Sequence, residues 1–374
     1  MAKFMTGSET TRPEKLLDAI IIRSAFDTPL LSRLPHETTT HIEPNWPMDR
    51  PFSSSDSVRN LASPHASTKL EGANYSPRTP SYQVRAKTIC EIQHQSFEMT
   101  GSDRAAVIAG QTNPWDYQMG RLATMHANGI DNTLMYGLGS PETNGSVQQR
   151  RTQGLISSAA WTGQERMHGS ATSMQDVYGT TLPSDMFSVF YNANHDPLTL
   201  DSFYTNLITP LAVAGADLDS SPWMFEVGYR LMQRVARFLI ADGGIMLNER
   251  NTDASSAMGS DYVNVFKLAS GQVVSFRVNR WLNDTANTFT IDNRTFPGYS
   301  PATPTAPGNV STVYYGDQTL IGHEPGTAKV LWYREPAFEN VATAGDYSQV
   351  AIKSEFALQV DHPLCVAGIG NGLA

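Results

Sequence analysis

His362 and Cys365 stand three positions apart near the C-terminus, and a thiol beside a histidine is the pairing a cysteine nucleophile needs. That chemistry also requires the two to meet in space and a third group to orient the base. Pro363 lies between them, where it interrupts the alternation that would put both on one strand face. The other polar pairs promise less. His195-Asp196 and His323-Glu324 are adjacent in sequence, which does not aim two ligands at one metal, and both read as loop polar pairs. Gly368-Ile369-Gly370-Asn371-Gly372 has the glycines of a phosphate loop but no helix after it, so it reads as a frayed tail. Arg150-Arg151 could touch a phosphate backbone, but reads better as a solvated or inter-subunit pair. The nine histidines form no cluster, and HExxH, Walker and GxSxG motifs are absent.

Composition fits either a surface covered by neighbours or a loop-rich β protein. The chain has 374 residues, of which 40% are hydrophobic and 17% charged. The charged fraction falls below the roughly 25% of ordinary soluble domains. Such a surface suits a protein covered by neighbours. A formal charge of −9 argues against a dedicated nucleic-acid binder, whose phosphate contacts need clustered Lys and Arg. Cys90 and Cys365 are too few for a disulfide framework or a zinc cluster, and read as buried free thiols. No run reaches the ~20 apolar residues of a membrane span, so no membrane partner is expected. No cofactor is expected either. The N-x-S/T sequons at Asn144, Asn283, Asn293 and Asn309 read as chance matches.

The elements suggest association instead. Residues 1–37 form an arm with a short helical piece after Pro13. Thr38 to Met48 reads as extended, with Pro44 and Pro47 flanking Trp46 and confining it to a sheet edge or a free arm. Arg50 to Tyr82 is polar and unpatterned, and a loop this long is functional or disordered. Val84 to Met99 then alternates as one strand, with Ala86, Thr88, Cys90 and Ile92 inward and Ile89 as the exception. The pair forms a long hairpin arm, which is marginal alone in water and needs a further surface. Another copy of the chain is the expected surface.

Asn113-Pro114 predicts the start of a long helix running to Met135, with a stripe of Trp115, Met119, Leu122, Met125, Ile130 and Leu134. A second helix is expected from Thr199, carrying Leu200, Phe203, Leu207, Ile208 and Leu211. A third is capped by Ser221-Pro222 and runs through Phe225, Leu231, Met232, Val235 and Leu239, with Arg230, Arg234 and Arg237 outward. Tyr262–Leu268 and Gln272–Arg280 read as a hairpin, 297–327 as a Pro/Gly loop and Lys329–Tyr333 as a short strand. Last, Val350, Ile352, Phe356, Leu358 and Val360 alternate with Gln349, Lys353, Glu355 and Gln359.

Several stretches in this order resemble one known family. They are Thr28-Pro29-Leu30-Leu31-Ser32, Trp46-Pro47-Met48-Asp49, Leu70-Glu71-Gly72 and Phe97-Glu98-Met99-Thr100-Gly101-Ser102. Gln149-Arg150-Arg151-Thr152-Gln153-Gly154-Leu155 follows, and then Gly345-Asp346-Tyr347-Ser348-Gln349 leading into Glu355-Phe356-Ala357-Leu358-Gln359-Val360. With them the chain resembles the major capsid proteins of tailed bacteriophages, of the Hong Kong 97-type capsid fold. The likeness runs through nearly the whole chain and is poorest over 160–200 and 283–327.

The resemblance implies an α+β subunit. Its expected parts are an N-terminal arm (1–37), an extended hairpin loop (38–99), a peripheral domain (100–160 and 340–374) with a spine helix at 114–135, and an axial domain with a peripheral hairpin (161–339). It implies self-assembly into hexamers and pentamers that close an icosahedral head around double-stranded DNA, without sequence-specific binding. Trp46, Lys69, Glu71, Arg78 and Arg85 are the candidate subunit-interface residues. Scaffolding is expected as a separate protein, since no coiled segment follows Met1; portal and decoration proteins are further expected partners. The virion is the expected location, with the host cytoplasm during assembly. The competing readings are an encapsulin-type nanocompartment shell and a hydrolase using Cys365 and His362.

Overall fold

Asn113 starts the long helix by accepting the backbone N–H of Trp115 on its side chain at 3.1 Å, and Pro114 fills the first turn, where no N–H is needed. The helix runs from Pro114 to Tyr136, and the Gly137 N–H closes it on the Thr133 carbonyl at 2.8 Å. A Cβ at Gly137 would meet the Thr152 carbonyl at 2.5 Å, so only glycine lets the following strands pass this close. The buried face is Leu122, His126, Ile130 and Leu134, one turn apart, with Asp131 and Met135 beside it. Met125, expected in the stripe, is 55% exposed, and His126 takes its place with Nε2 2.8 Å from the Ser354 hydroxyl.

The structure, a computed structural model, describes residues 28–48, 71–72, 84–105, 113–140, 150–160, 189–192, 197–214, 216, 218, 223–241, 265–267, 273–283, 288–291, 312–341 and 345–370. Its strands begin with β1 (His36–Thr38), β2 (Asn45–Met48), β3 (Val84–Lys87), β4 (Glu91–Thr100), β5 (Leu138–Ser140), β6 (Arg151–Gln153), β7 (Val189–Asn192) and β8 (Trp223–Val227). They continue with β9 (Val265–Lys267), β10 (Val273–Val278), β11 (Thr288–Ile291), β12 (Thr312–Tyr315), β13 (Leu320–His323), β14 (Ala328–Val341), β15 (Tyr347–Val360) and β16 (Val366–Gly370). A four-stranded sheet has the order β1-β14-β15-β4, and a six-stranded sheet the order β7-β16-β13-β8-β10-β9. β2-β3, β5-β6 and β11-β12 form separate pairs.

Two cores result. One packs Phe203, Leu207 and Leu211 of the helix begun at Thr199, and Leu231 and Val235 of helix Tyr229–Ala241, on Trp223, Phe225, Phe276 and Ile369. The other packs the long helix on Val330, Trp332, Phe356 and Leu358, and also holds Ile321 and Val366 from the six-stranded sheet. Alternation accounts for this split: Trp223, Phe225 and Val227 face the first core, and Ile321 and Val366 the second.

Several sequence expectations need correction. The run Val84–Met99 is two strands, not one. Thr88, Ile89 and Cys90 are all buried between them, and the Thr88 and Cys90 N–H groups bond the Pro44 and Ile42 carbonyls. The phase flips there, so Ile92 is 45% exposed while Gln93 faces the long helix. Trp223–Val227, read as helix, is strand β8, and its helix begins only at Tyr229. Gly228 separates them, where a Cβ would come 2.7 Å from the Leu282 carbonyl. The supposed cap Ser221-Pro222 lies outside the described residues, as does the helical piece after Pro13. The 297–327 loop contains β12 and β13, and the Lys329–Tyr333 strand extends to Val341. Gly368-Ile369-Gly370 of the supposed frayed tail belong to β16, buried throughout between β13 and β7, while Asn371 and Gly372 lie outside the described residues.

Candidate assembly surface

The hairpin root is β2 paired antiparallel with β3, from Asn45 opposite Lys87 to Met48 opposite Val84. Trp46 ties this root to its own chain by donating its indole N–H to the Asp361 carbonyl at 3.0 Å. Lys87 adds a 3.5 Å ion pair with Glu43. Of the other candidate interface residues, Glu71 is exposed beside Gly72, whose φ of 78° suits glycine. Arg85 lies in β3 with its backbone opposite Pro47. Lys69 and Arg78 lie outside the described residues, so the structure does not bring the five together.

A second surface was missed. β1 pairs with β14 only over Val330–Trp332, so the outer edge of β14 from Arg334 to Val341 has no strand against it among the described residues. Tyr333, Phe338 and Val341 are each more than a third exposed on that strand. An open edge with apolar side chains is a template for pairing. Pro336 and the charges of Arg334, Glu335 and Glu339 hid this strand from its sequence.

Below that edge lies a buried ionic knot. Glu355, expected on a polar outer face, is 3% exposed, because β15 is covered on both sides. It accepts from Arg150 Nη2 at 2.8 Å and from Arg334 Nη2. The free or inter-subunit role expected of Arg150 is therefore taken by an in-chain ion pair; Arg151 beside it is exposed. Nearby Glu91 accepts the Thr152 N–H at 3.1 Å, and burial raises its carboxyl pKa although that bond pulls it back.

The residues suited to chemistry are spent on structure. His362 Nδ1 accepts the Leu364 N–H at 3.1 Å, capping the turn that carries Cys365. Burial pushes the Cys365 thiol up to about 12, with Glu324 adding to it, the opposite of an activated nucleophile. Cys90 is likewise raised to about 11 by burial, and both cysteines are free. His323, read as a loop residue, is buried in β13; His195 lies outside the described residues. No helix among the described residues is long and apolar enough to cross a membrane.

A family model described as SU10 major capsid protein matches residues 2–373. The chain belongs to that family. Solved structures share the architecture at low identity. The cyanophage A-1(L) capsid asymmetric unit superposes with a TM-score of 0.64 at 9% identity, covering 99% of this chain and 100% of that one. The capsid of an empty GTA particle gives 0.53 at 9% identity, covering 99% and 97%. The capsid of cyanophage P-SCSP1u gives 0.50 at 10%, covering 98% and 94%. No curated protein matches the sequence. This capsid protein has the Hong Kong 97-type fold. It is a structural protein of the virion, forming the icosahedral head of a tailed phage from many copies of itself, and not an enzyme.

Proposed function

We propose that this capsid protein closes its head through hexamers and pentamers around double-stranded DNA, with the arm 50–82 of each copy lying over a neighbour. The open edge of β14, with Tyr333, Phe338 and Val341 exposed, is the observation that carries this reading. An assembling subunit leaves such a surface for another copy to cover. The proposed parts are an N-terminal arm (1–37), the extended hairpin loop (38–99), a peripheral domain (100–160 and 340–374) with the spine helix at 114–135, and an axial domain with a peripheral hairpin (161–339). Trp46, Lys69, Glu71, Arg78 and Arg85 are the interface candidates. Separate scaffolding and portal proteins, and a decoration protein, complete the set of partners. A net charge of −9 suits a shell that must not hold its genome tightly.

Replacing residues 50–82 by a short Gly/Ser bridge should leave circular dichroism near native while particles vanish from negative-stain micrographs. Particles that persist, or a subunit that no longer folds, would refute this role. A single exposed pair contributes only ~0–1 kcal/mol, but it recurs at every equivalent contact. Glu71→Lys and Arg78→Glu should therefore lower assembly yield and change its response to added salt. No change in either would leave backbone pairing as the arm's anchor.

A further inference from the structure

The turn Thr28–Leu34 is held from two sides. Beneath it, Asp131 of the long helix accepts the Leu30 and Leu31 N–H groups at 2.9 and 2.6 Å. Across it, Arg33 reaches the six-stranded sheet and pairs with Glu226 at 2.7 Å, and Glu226 also accepts from Asn279 at 3.2 Å. Leu30 and Leu34 pack in the same core as Ile321 and Val366.

His323 belongs to the face this turn covers. Residues directly opposite in a sheet point the same way. His323 is opposite Val366, and Ile321, two residues back on its strand, is opposite Glu226. Arg277 is level with Glu226 on β10 and completes the row. The charged and titratable groups facing His323 among the described residues are thus Arg33 from the turn, Glu226 from β8 and Arg277 from β10. Glu324 follows it in sequence, and Asp131 lies under the turn. No hydrogen bond of normal geometry reaches either ring nitrogen. A proton here would add a cation in the field of Arg33 and Arg277.

We propose that the turn Thr28–Leu34 is an acid-releasable clasp: proton uptake by His323 frees the turn from the six-stranded sheet while both sheets stay folded. The linkage has the required sign. Burial pulls the imidazole down to about 4 in the closed state; the backbone at Glu324 pulls it partly back, and the fields of Arg33 and Arg277 add to burial. Opened to water, it returns to its ordinary ~6.5. The closed state is therefore favoured above pH 6.5 and loses ground as pH falls toward 4. For His323 alone the opening equilibrium should rise about 20-fold between pH 7 and pH 5. Glu226 opposes this in part, because burial raises its carboxyl pKa and the closed sheet holds that proton more readily than water does.

Hydrogen exchange of the assembled full-length protein, corrected for intrinsic rates, reads the clasp directly. From pH 7 to pH 5, peptides spanning 28–34 should lose protection several-fold while β15 peptides hold theirs. His323→Gln should abolish that response. Arg33→Met should open the turn at both pH values and leave β15 protected. A turn that keeps its protection at pH 5, or loses it only together with β15, overturns the proposal. So does a pH response that survives in His323→Gln; if that variant fails to fold, the comparison of the turn with β15 in the unaltered protein decides.

Discussion

Asp131 offers the sharpest test of how the arm, the long helix and the segment at 280–283 are joined. Its side chain is fully buried, and its partners include three N–H groups: Leu30 and Leu31 on one oxygen, and the Trp281 indole on the other at 2.6 Å. Asp131→Leu keeps similar bulk but strands all three donors. Each buried donor left without an acceptor costs about 1–3 kcal/mol. Two of the three bonds are only part-buried, so water softens their loss, and the expected total is about 3–6 kcal/mol. Against a whole-domain stability of about 5–15 kcal/mol, that is a large fraction. Asp131→Asn keeps one oxygen for either the Leu30–Leu31 pair or the indole. It should lose at least one charge-assisted bond, about 1.5–3 kcal/mol. Urea unfolding of disassembled subunits, followed by tryptophan emission, measures both, since Trp281 itself reports on the site. A cost below about 1 kcal/mol for Asp131→Leu would refute the reasoning, because water would then be serving those donors. Equal costs for Asn and Leu would show that charge, not the number of acceptors, is what matters.

Two further outcomes follow from burial. Leu122 is 6% exposed on the inner face of the long helix, so Leu122→Ala should cost about 2–5 kcal/mol in the same unfolding assay; an unchanged midpoint would mean that this face is not packed. Cys90 and Cys365 should both titrate as free thiols once the protein is denatured without reductant, and at pH 8 in the folded protein both should react with iodoacetamide far more slowly than a model thiol, because burial holds their pKa values at about 11 and about 12.

What the sequence determined by itself was local. Asn113-Pro114 fixed where the long helix begins, because the cap and the missing N–H act within a few residues. Thr199 did the same for the helix at 200–214, where its hydroxyl accepts from Ser202 in a capping box at 3.1 Å. The hairpin of β9 and β10 was legible too, with Val273 pairing Lys267. Family membership was legible from the order of several short stretches, each weak alone.

The tertiary structure decided whatever depends on partners far along the chain. Ile89 looked like a flaw in an alternating strand; it marks where the chain leaves one sheet for another and reverses phase. Phe225 sat at helical spacing from Met232, yet β8 is a strand because β13 and β10 flank it, and Gly228 was the missed punctuation. Gly368-Ile369-Gly370 looked like part of a tail because glycines carry no packing signal, and their place in β16 between β13 and β7 gives them one. Glu355 followed the polar phase of its strand correctly, but only the fold could bring Arg150 and Arg334 to it and make burial tolerable. Period and capping are written in neighbouring residues, whereas sheet order and the pairing of buried charges are set by contacts between distant ones.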